Sequence, residues 1–255
     1  LMALRFSVTC LALISFLGPI GANFPRLLLM SVVGASLQYS LTFTGVSNLG
    51  AGLSALVVQL EVPFLVLLGA VLLGERPGMR KWIGIIIAFC GVGVIASQES
   101  FSGSILPILL VVGGAFTWAF GQVLVRGIRD MSGLSITAWT AVLAAPQLFI
   151  LSALVETGQI AALATAGPQD WSAAIYLGLV MTALGYFLWN SLLLRQEVNR
   201  VAPFLLLLPV FSVIGGIIFL GEQLTLFRLA GGGVVLSGVA LITIEFSNPK
   251  VASSE

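Results

Sequence analysis

The sequence predicts an all-α polytopic membrane protein, an inverted repeat of two five-helix halves with ten transmembrane helices in full and nine visible in this chain. Three observations carry that expectation. Apolar residues make up 58% of the 255 residues and charged residues only 8%, against about a quarter charged in soluble domains. The apolar residues fall in long runs separated by short polar breaks. Residues 39 to 95 are also written a second time, shifted by 147 residues without a gap, at 186 to 242. The matching pairs include Tyr39/Tyr186, Gly69/Gly216, Gly84/Gly231 and Gly91/Gly238, with Leu73-Gly74-Glu75 repeated as Leu220-Gly221-Glu222. A repeated unit of membrane spans is the pattern of a secondary transporter, with its solute site between the copies.

A span needs about 17 to 25 apolar residues to cross roughly 30 Å of hydrocarbon. Nine such runs lie at about 3–20, 27–46, 50–73, 82–97, 104–125, 134–155, 172–194, 201–220 and 228–246. None alternates as a barrel strand would, so helices are the only way to satisfy their backbone groups in lipid. The breaks hold nearly all the charge, the longest running from Glu156 to Asp170. Counted on alternate sides of the nine runs, Lys and Arg divide nine to two: Arg5 and Arg228 on one side, the rest on the other. The richer side is cytoplasmic by the positive-inside rule, and it receives the C-terminus. An odd number of spans separates the two copies, so they are upside down relative to each other. Five helices follow residue 104 but four precede it, so a further span ahead of Leu1 is expected.

Several function classes drop out. A net charge of +1 gives no electrostatic footprint for nucleic acid. The chain has no histidine, and Cys10 and Cys90 both sit in apolar runs, so neither a disulfide framework, a metal site, a cofactor nor His-based catalysis is expected, and the chain reads as a non-enzyme. The partners expected are a small-molecule substrate and membrane lipid. The glycine-rich runs lie within spans, where they let helices approach closely.

Glu61 is the acid deepest inside a span, and an intramembrane carboxylate is a functional candidate by default. Two readings stand: it faces a wet pathway, binding an ammonium or taking up a proton, or it stays protonated against a neighbouring helix. Pro63 removes the N–H that would bond the carbonyl of Gln59, leaving that carbonyl open to substrate or water. Pro203 and Pro209 do the same for Asn199 and Leu205 in the second copy. Other polar and aromatic candidates share helix faces at one-turn spacing: Gln38 with Thr42 beside Tyr39, Trp118 with Gln122, and Tyr186 with Asn190 beside Trp189. Amide, hydroxyl and aromatic groups together suit a small amphipathic solute such as an amino acid. Interhelical hydrogen bonding is the alternative role for each. Trp82 and Trp171, at span ends, read as an interfacial belt.

The residues also carry a resemblance. Ala3-Leu4-Arg5-Phe6, the stretch from Gly52 to Gln59, both Leu-Gly-Glu ends, Trp118-Ala119, Gly185-Tyr186 with Trp189, Arg200-Val-Ala-Pro203 and Leu208-Pro209 resemble the EamA-type transporters of the drug/metabolite transporter superfamily. Within it they are similar to bacterial amino-acid and metabolite exporters of the O-acetylserine/cysteine type. The resemblance covers essentially the whole chain. It implies a first EamA repeat at 1–98 lacking its N-terminal helix, a linker at 99–103, a second repeat at 104–246 and a cytoplasmic tail at 247–255. It also implies export of amino acids or related metabolites across the inner membrane by alternating access. Drugs, sugars and nucleotide derivatives are the rival cargoes, and a non-transporting membrane scaffold is the rival class.

Overall fold

Apolar runs in lipid must bond their own backbones, and in the computed structural model each of the nine runs carries a helix. The structure describes residues 1–101, 105–128, 130–195, 207–221 and 225–244, and among these no strand occurs. Among the described residues, six helical spans, Gly21–Leu49, Ala51–Leu72, Met79–Ser97, Ile105–Arg126, Gly133–Val155 and Pro168–Leu192, are long and apolar enough to cross a membrane. Met2–Phe16, Val210–Phe219 and Leu229–Thr243 are shorter apolar helices. The first ends before residue 20 because Gly18 and Pro19 follow it. A short helix, α9 (Gln159–Thr165), interrupts the long polar break. Apolar side chains such as Leu11, Ile86 and Ile150 are exposed, as expected of surfaces solvated by lipid.

The chain forms two compact units, and each takes helices from both sequence copies. The first holds residues 1–44 and 110–196 and the second 45–109 and 197–255.

In the first unit, α1 (Met2–Leu13) packs on α8 (Gly133–Val155). Ala138, Ala141, Ala144 and Ala145 make a small-residue face on α8 that is buried throughout, so the neighbouring backbone can come close. The span after α1 begins as α2 (Phe24–Ser31), passes through a π-helical segment at Val32–Leu37 and resumes as α3 (Gln38–Leu49). The later span does the same: α10 (Pro168–Tyr176), a π segment at Leu177–Leu184, then α11 (Gly185–Arg195). The two π segments end at equivalent places. Gln38 N–H reaches the carbonyls of Ala35 and Val33, and Gly185 N–H those of Thr182 and Val180, 147 residues on. Both place a wide turn directly before the matching tyrosines. Gly34 lies against Gly121 of α7 (Ile105–Arg126), where a Cβ on Gly34 would fall 2.8 Å from the other Cα. Gln147, next to Pro146 in the uninterrupted α8, ties this region together: it donates to Ser31 Oγ at 2.8 Å and accepts from Ser36 Oγ at 2.7 Å.

In the second unit, α6 (Met79–Phe101) and α13 (Leu226–Thr243) cross antiparallel through their glycines. A Cβ on Gly84 would fall 2.7 Å from the carbonyl oxygen of Gly238, and one on Gly91 2.9 Å from that of Gly231. The contacts are reciprocal under the shift of 147: Ala88 meets Gly238 as Gly91 meets Val235, and Gly84 meets Ile242 as Ile95 meets Gly231. The second unit also contains α12 (Leu207–Leu220), packed on α4 (Ala51–Val58).

The span Ala51–Leu72 breaks in its middle, into α4 and α5 (Glu61–Leu72). Here the expectation of an open Gln59 carbonyl is corrected: it accepts the N–H of Val62 at 3.2 Å. Gln59 and Leu60 also bond three residues back, at 3.3 and 3.1 Å, so the chain tightens into 3-10 geometry and satisfies the group that Pro63 releases. Pro203, Asn199 and Leu205 lie outside the described residues, and Pro209 falls in the first turn of α12.

The Leu-Gly-Glu motif has a structural cause. Gly74 takes φ +69° and turns the chain off α5, as Gly221 does at +66° after α12, a left-handed step that glycine makes without penalty. Leu73 and Glu75 then both return their N–H groups to the carbonyl of Gly69, at 3.0 and 3.2 Å. The Glu75 carboxylate folds over Gly69, where a Cβ would meet Oε2 at 2.8 Å.

Candidate functional site

A small cavity of about 20 Å³ opens inside the first unit. Its apolar wall includes Phe6, Met30 and Ala35, and its polar groups include Gln122, Thr137, Thr182, Tyr186 and Asn190. Ala35 and Thr182 are equivalent positions in the two copies, each within its π segment. A π turn displaces the residues after it by one position on the helix face, and such turns concentrate at functional sites.

Of the residues singled out from sequence, Gln122, Tyr186 and Asn190 line this cavity. Asn190 is buried and donates to Thr137 Oγ1 at 2.9 Å, which in turn donates to the Gly133 carbonyl. Gln122 accepts from Trp189 Nε1 at 3.3 Å, and the Trp189 ring sits 6.4 Å from that of Trp118. The two tryptophans thus back the cavity's amide. Tyr39 is buried behind the wall with its hydroxyl 2.7 Å from that of Tyr186. Gln38 donates to Thr42 Oγ1 at 3.2 Å, while its own Oε1 is buried with no partner among the described residues. Thr42 abuts Gly114, whose missing side chain makes room for it.

Gln59 and Glu61 belong to the second unit. Gln59 is buried; Glu61 is half-buried and opens α5, just past the break. Trp82 and Trp171 are exposed, 42% and 45%, near the ends of their spans.

Arg5 was counted from sequence as a loop charge, and that is corrected: it is 6% exposed, inside the first unit. Its Nε donates to Thr182 Oγ1, its Nη2 to Tyr39 Oη at 3.1 Å, and its guanidinium carbon lies 4.7 Å from the Tyr39 ring centroid. Thr137 and Thr182 were also missed, because a lone threonine in an apolar helix commonly bonds its own backbone, as both also do here. For Arg5 the available signal was its place one turn inside the run, with Thr9 one turn further on.

The EamA-like transporter family matches residues 1–97 and 105–244. The chain belongs to the EamA-like transporter family. Among its relatives, a "Probable amino-acid metabolite efflux pump" of Escherichia coli (strain K12) is 29% identical over 94% of this chain and 83% of its own length. A protein of the same description from Salmonella typhimurium is 33% identical over 82% of this chain and 73% of its own. A crystal structure 18% identical superposes with a TM-score of 0.65, covering 95% of this chain and 86% of the other, which shows a shared fold. This EamA-like chain is therefore a membrane transporter.

Proposed function

We propose that this protein exports amino acids or related small metabolites across the bacterial inner membrane by alternating access. The observation that carries the reading is the lining of the cavity in the first unit: amide and hydroxyl groups of Gln122, Thr137, Tyr186 and Asn190 face the apolar Phe6, Met30 and Ala35. That combination suits a solute with one polar end and one apolar end. The names of the two enterobacterial relatives support the same cargo class.

Alternating access by an inverted repeat is supported by the reciprocal glycine contacts of α6 and α13, and by the matched π segments. Two copies related by a two-fold axis in the membrane plane meet through such self-complementary contacts. Gln38, Thr42, Gln59, Trp118 and Trp189 are proposed to shape the pathway, and Glu61 to take up a proton or bind an ammonium as the copies rock. The C-terminus is proposed to be cytoplasmic, on the side richer in Lys and Arg.

The test is uptake of radiolabelled amino acids into proteoliposomes holding the full chain, with and without a pH gradient, beside Glu61→Gln. Saturable uptake that responds to the gradient in wild type and not in the variant is expected. Uptake of sugars or drugs in place of amino acids would overturn the cargo.

A further inference from the structure

We infer that Arg5 is the counter-charge for an anionic group of the solute, so that the cavity selects carboxylates; this rests on the export reading above and names what that site recognises. A guanidinium has five N–H donors and keeps its charge. Arg5 is 6% exposed, inside an apolar span, and its partners are the neutral hydroxyls of Thr182 and Tyr39 and, at 4.0 Å, the thioether of Met2. Among the described residues no carboxylate pairs with it. Neutral hydroxyls orient a guanidinium but leave its charge in place, and a buried charge without a counter-ion is costly unless something else balances it.

The geometry puts that charge at the cavity. Thr182, which accepts from Arg5 Nε, lines the cavity, and so does Tyr186, whose hydroxyl is 2.7 Å from that of Tyr39, the acceptor of Arg5 Nη2. Phe6, the next residue of α1, lines it too. Arg5 therefore stands one hydroxyl behind the wall, where the low dielectric of the span lets its field reach an anion in the cavity. Thr182 is held for this task by its π segment, through its bond to the Leu177 carbonyl at 2.8 Å, and Arg5 by α1, whose Thr9 bonds the carbonyls of both Arg5 and Gly178.

Charge balance points to the class of anion. One guanidinium matches the single charge of one carboxylate, whereas a phosphate monoester brings about −1.5 to −2 against that one cation. The neutral amides and hydroxyls of Gln122, Thr137 and Asn190 complement the rest of a small solute without adding charge.

The experiment compares radiolabelled leucine, serine and cysteine with their carboxamides in proteoliposomes of the full chain, wild type, Arg5→Gln and Arg5→Lys. The amides keep size and shape and lose the negative charge. Wild type is expected to carry the acids at least about tenfold faster than the amides, the size of effect a charge-assisted contact provides. Arg5→Gln is expected to lose that preference and Arg5→Lys to recover part of it. Equal rates for acids and amides in wild type, or an undiminished preference in Arg5→Gln, overturn the inference and leave amino-acid export standing. Should Arg5→Gln fail to fold, the wild-type comparison still decides. Sugars or drugs carried in place of both acids and amides would overturn the export reading, and the inference with it.

Discussion

The hydroxyls of Tyr39 and Tyr186 lie 2.7 Å apart, although the residues are separated by 147 positions and occupy the same place in two copies of one sequence. The bond is not symmetric, because Arg5 donates to Tyr39. The two phenylalanine variants should therefore differ. Tyr39→Phe leaves a buried, charged donor without its acceptor, a loss of about 1.5–3 kcal/mol, while Tyr186→Phe removes a neutral bond worth about 0.5–1.5 kcal/mol. Unfolding of the purified protein in mixed micelles should rank them in that order, and the double variant should cost less than the sum of the singles.

The crossing of α6 and α13 makes a sharper prediction, since its contacts are backbone on backbone. An alanine at Gly84, Gly91 or Gly238 would place a Cβ 2.4 to 2.9 Å from backbone atoms of the partner helix. Neither side can yield without parting the helices, and overpacking costs about 1–3 kcal/mol per site. Gly93→Ala and Gly233→Ala on the same helices meet nothing within 4 Å and should leave stability unchanged or raise it, given alanine's better helix propensity. Melting temperatures of the alanine series in detergent should separate the two groups. A uniform loss would mean that helix propensity or lipid contact, not the crossing, governs these positions.

The helices and the repeat were legible because each rests on many residues: hydropathy sums over a whole run, and a shift of 147 residues is read from a dozen matches. The site was legible only where one turn of regular helix separates its members, as for Tyr186 and Asn190. Two features hid the rest. The π segments at Val32–Leu37 and Leu177–Leu184 displace the helical phase, so that Thr182 cannot be matched to a face by counting in 3.6 residues. Arg5 was hidden by its nearness to the start of the chain, which made a buried charge look like a loop base. Pro63 was read as an interruption but not as one that the chain repairs, because 3-10 tightening at Gln59 and Leu60 leaves no mark in the sequence.

Gly69 and Glu75 form a second coupled pair, and the coupling should be visible as non-additivity. Gly69→Ala pushes a Cβ against Glu75 Oε2, so the carboxylate must leave its seat over the end of α5. In a Glu75→Ala background that clash is absent. The alanine at Gly69 should then cost roughly nothing, or stabilise by up to about 1 kcal/mol as a better helix former. A double-mutant cycle read by thermal melting should return a coupling of about 1 kcal/mol or more, within the range for residues in contact. Gly74→Ala should destabilise in both backgrounds, because φ +69° penalises any side chain whatever the carboxylate does.

Gln38 gives the one prediction with an unusual sign. Its side chain is 6% exposed, with Nε2 bonded to Thr42 and Oε1 bonded to no described residue. Exchanging the two amide atoms does not help, since Thr42 can satisfy only one end of the group. An unmade bond at a buried acceptor costs about 1–3 kcal/mol, while the bond to Thr42 returns about 1. Gln38→Met, which keeps the length and removes both polar atoms, should therefore leave thermal stability unchanged or raise it. Asn190→Leu should lower it, since it strips Thr137 of its buried donor. A native protein retains such a group when its acceptor is needed by something that arrives later. Transport should accordingly respond in the opposite sense to stability: uptake of carried amino acids should fall in Gln38→Met even as the melting temperature holds or rises. A variant that melts lower and transports normally would make Gln38 a structural amide and remove it from the pathway.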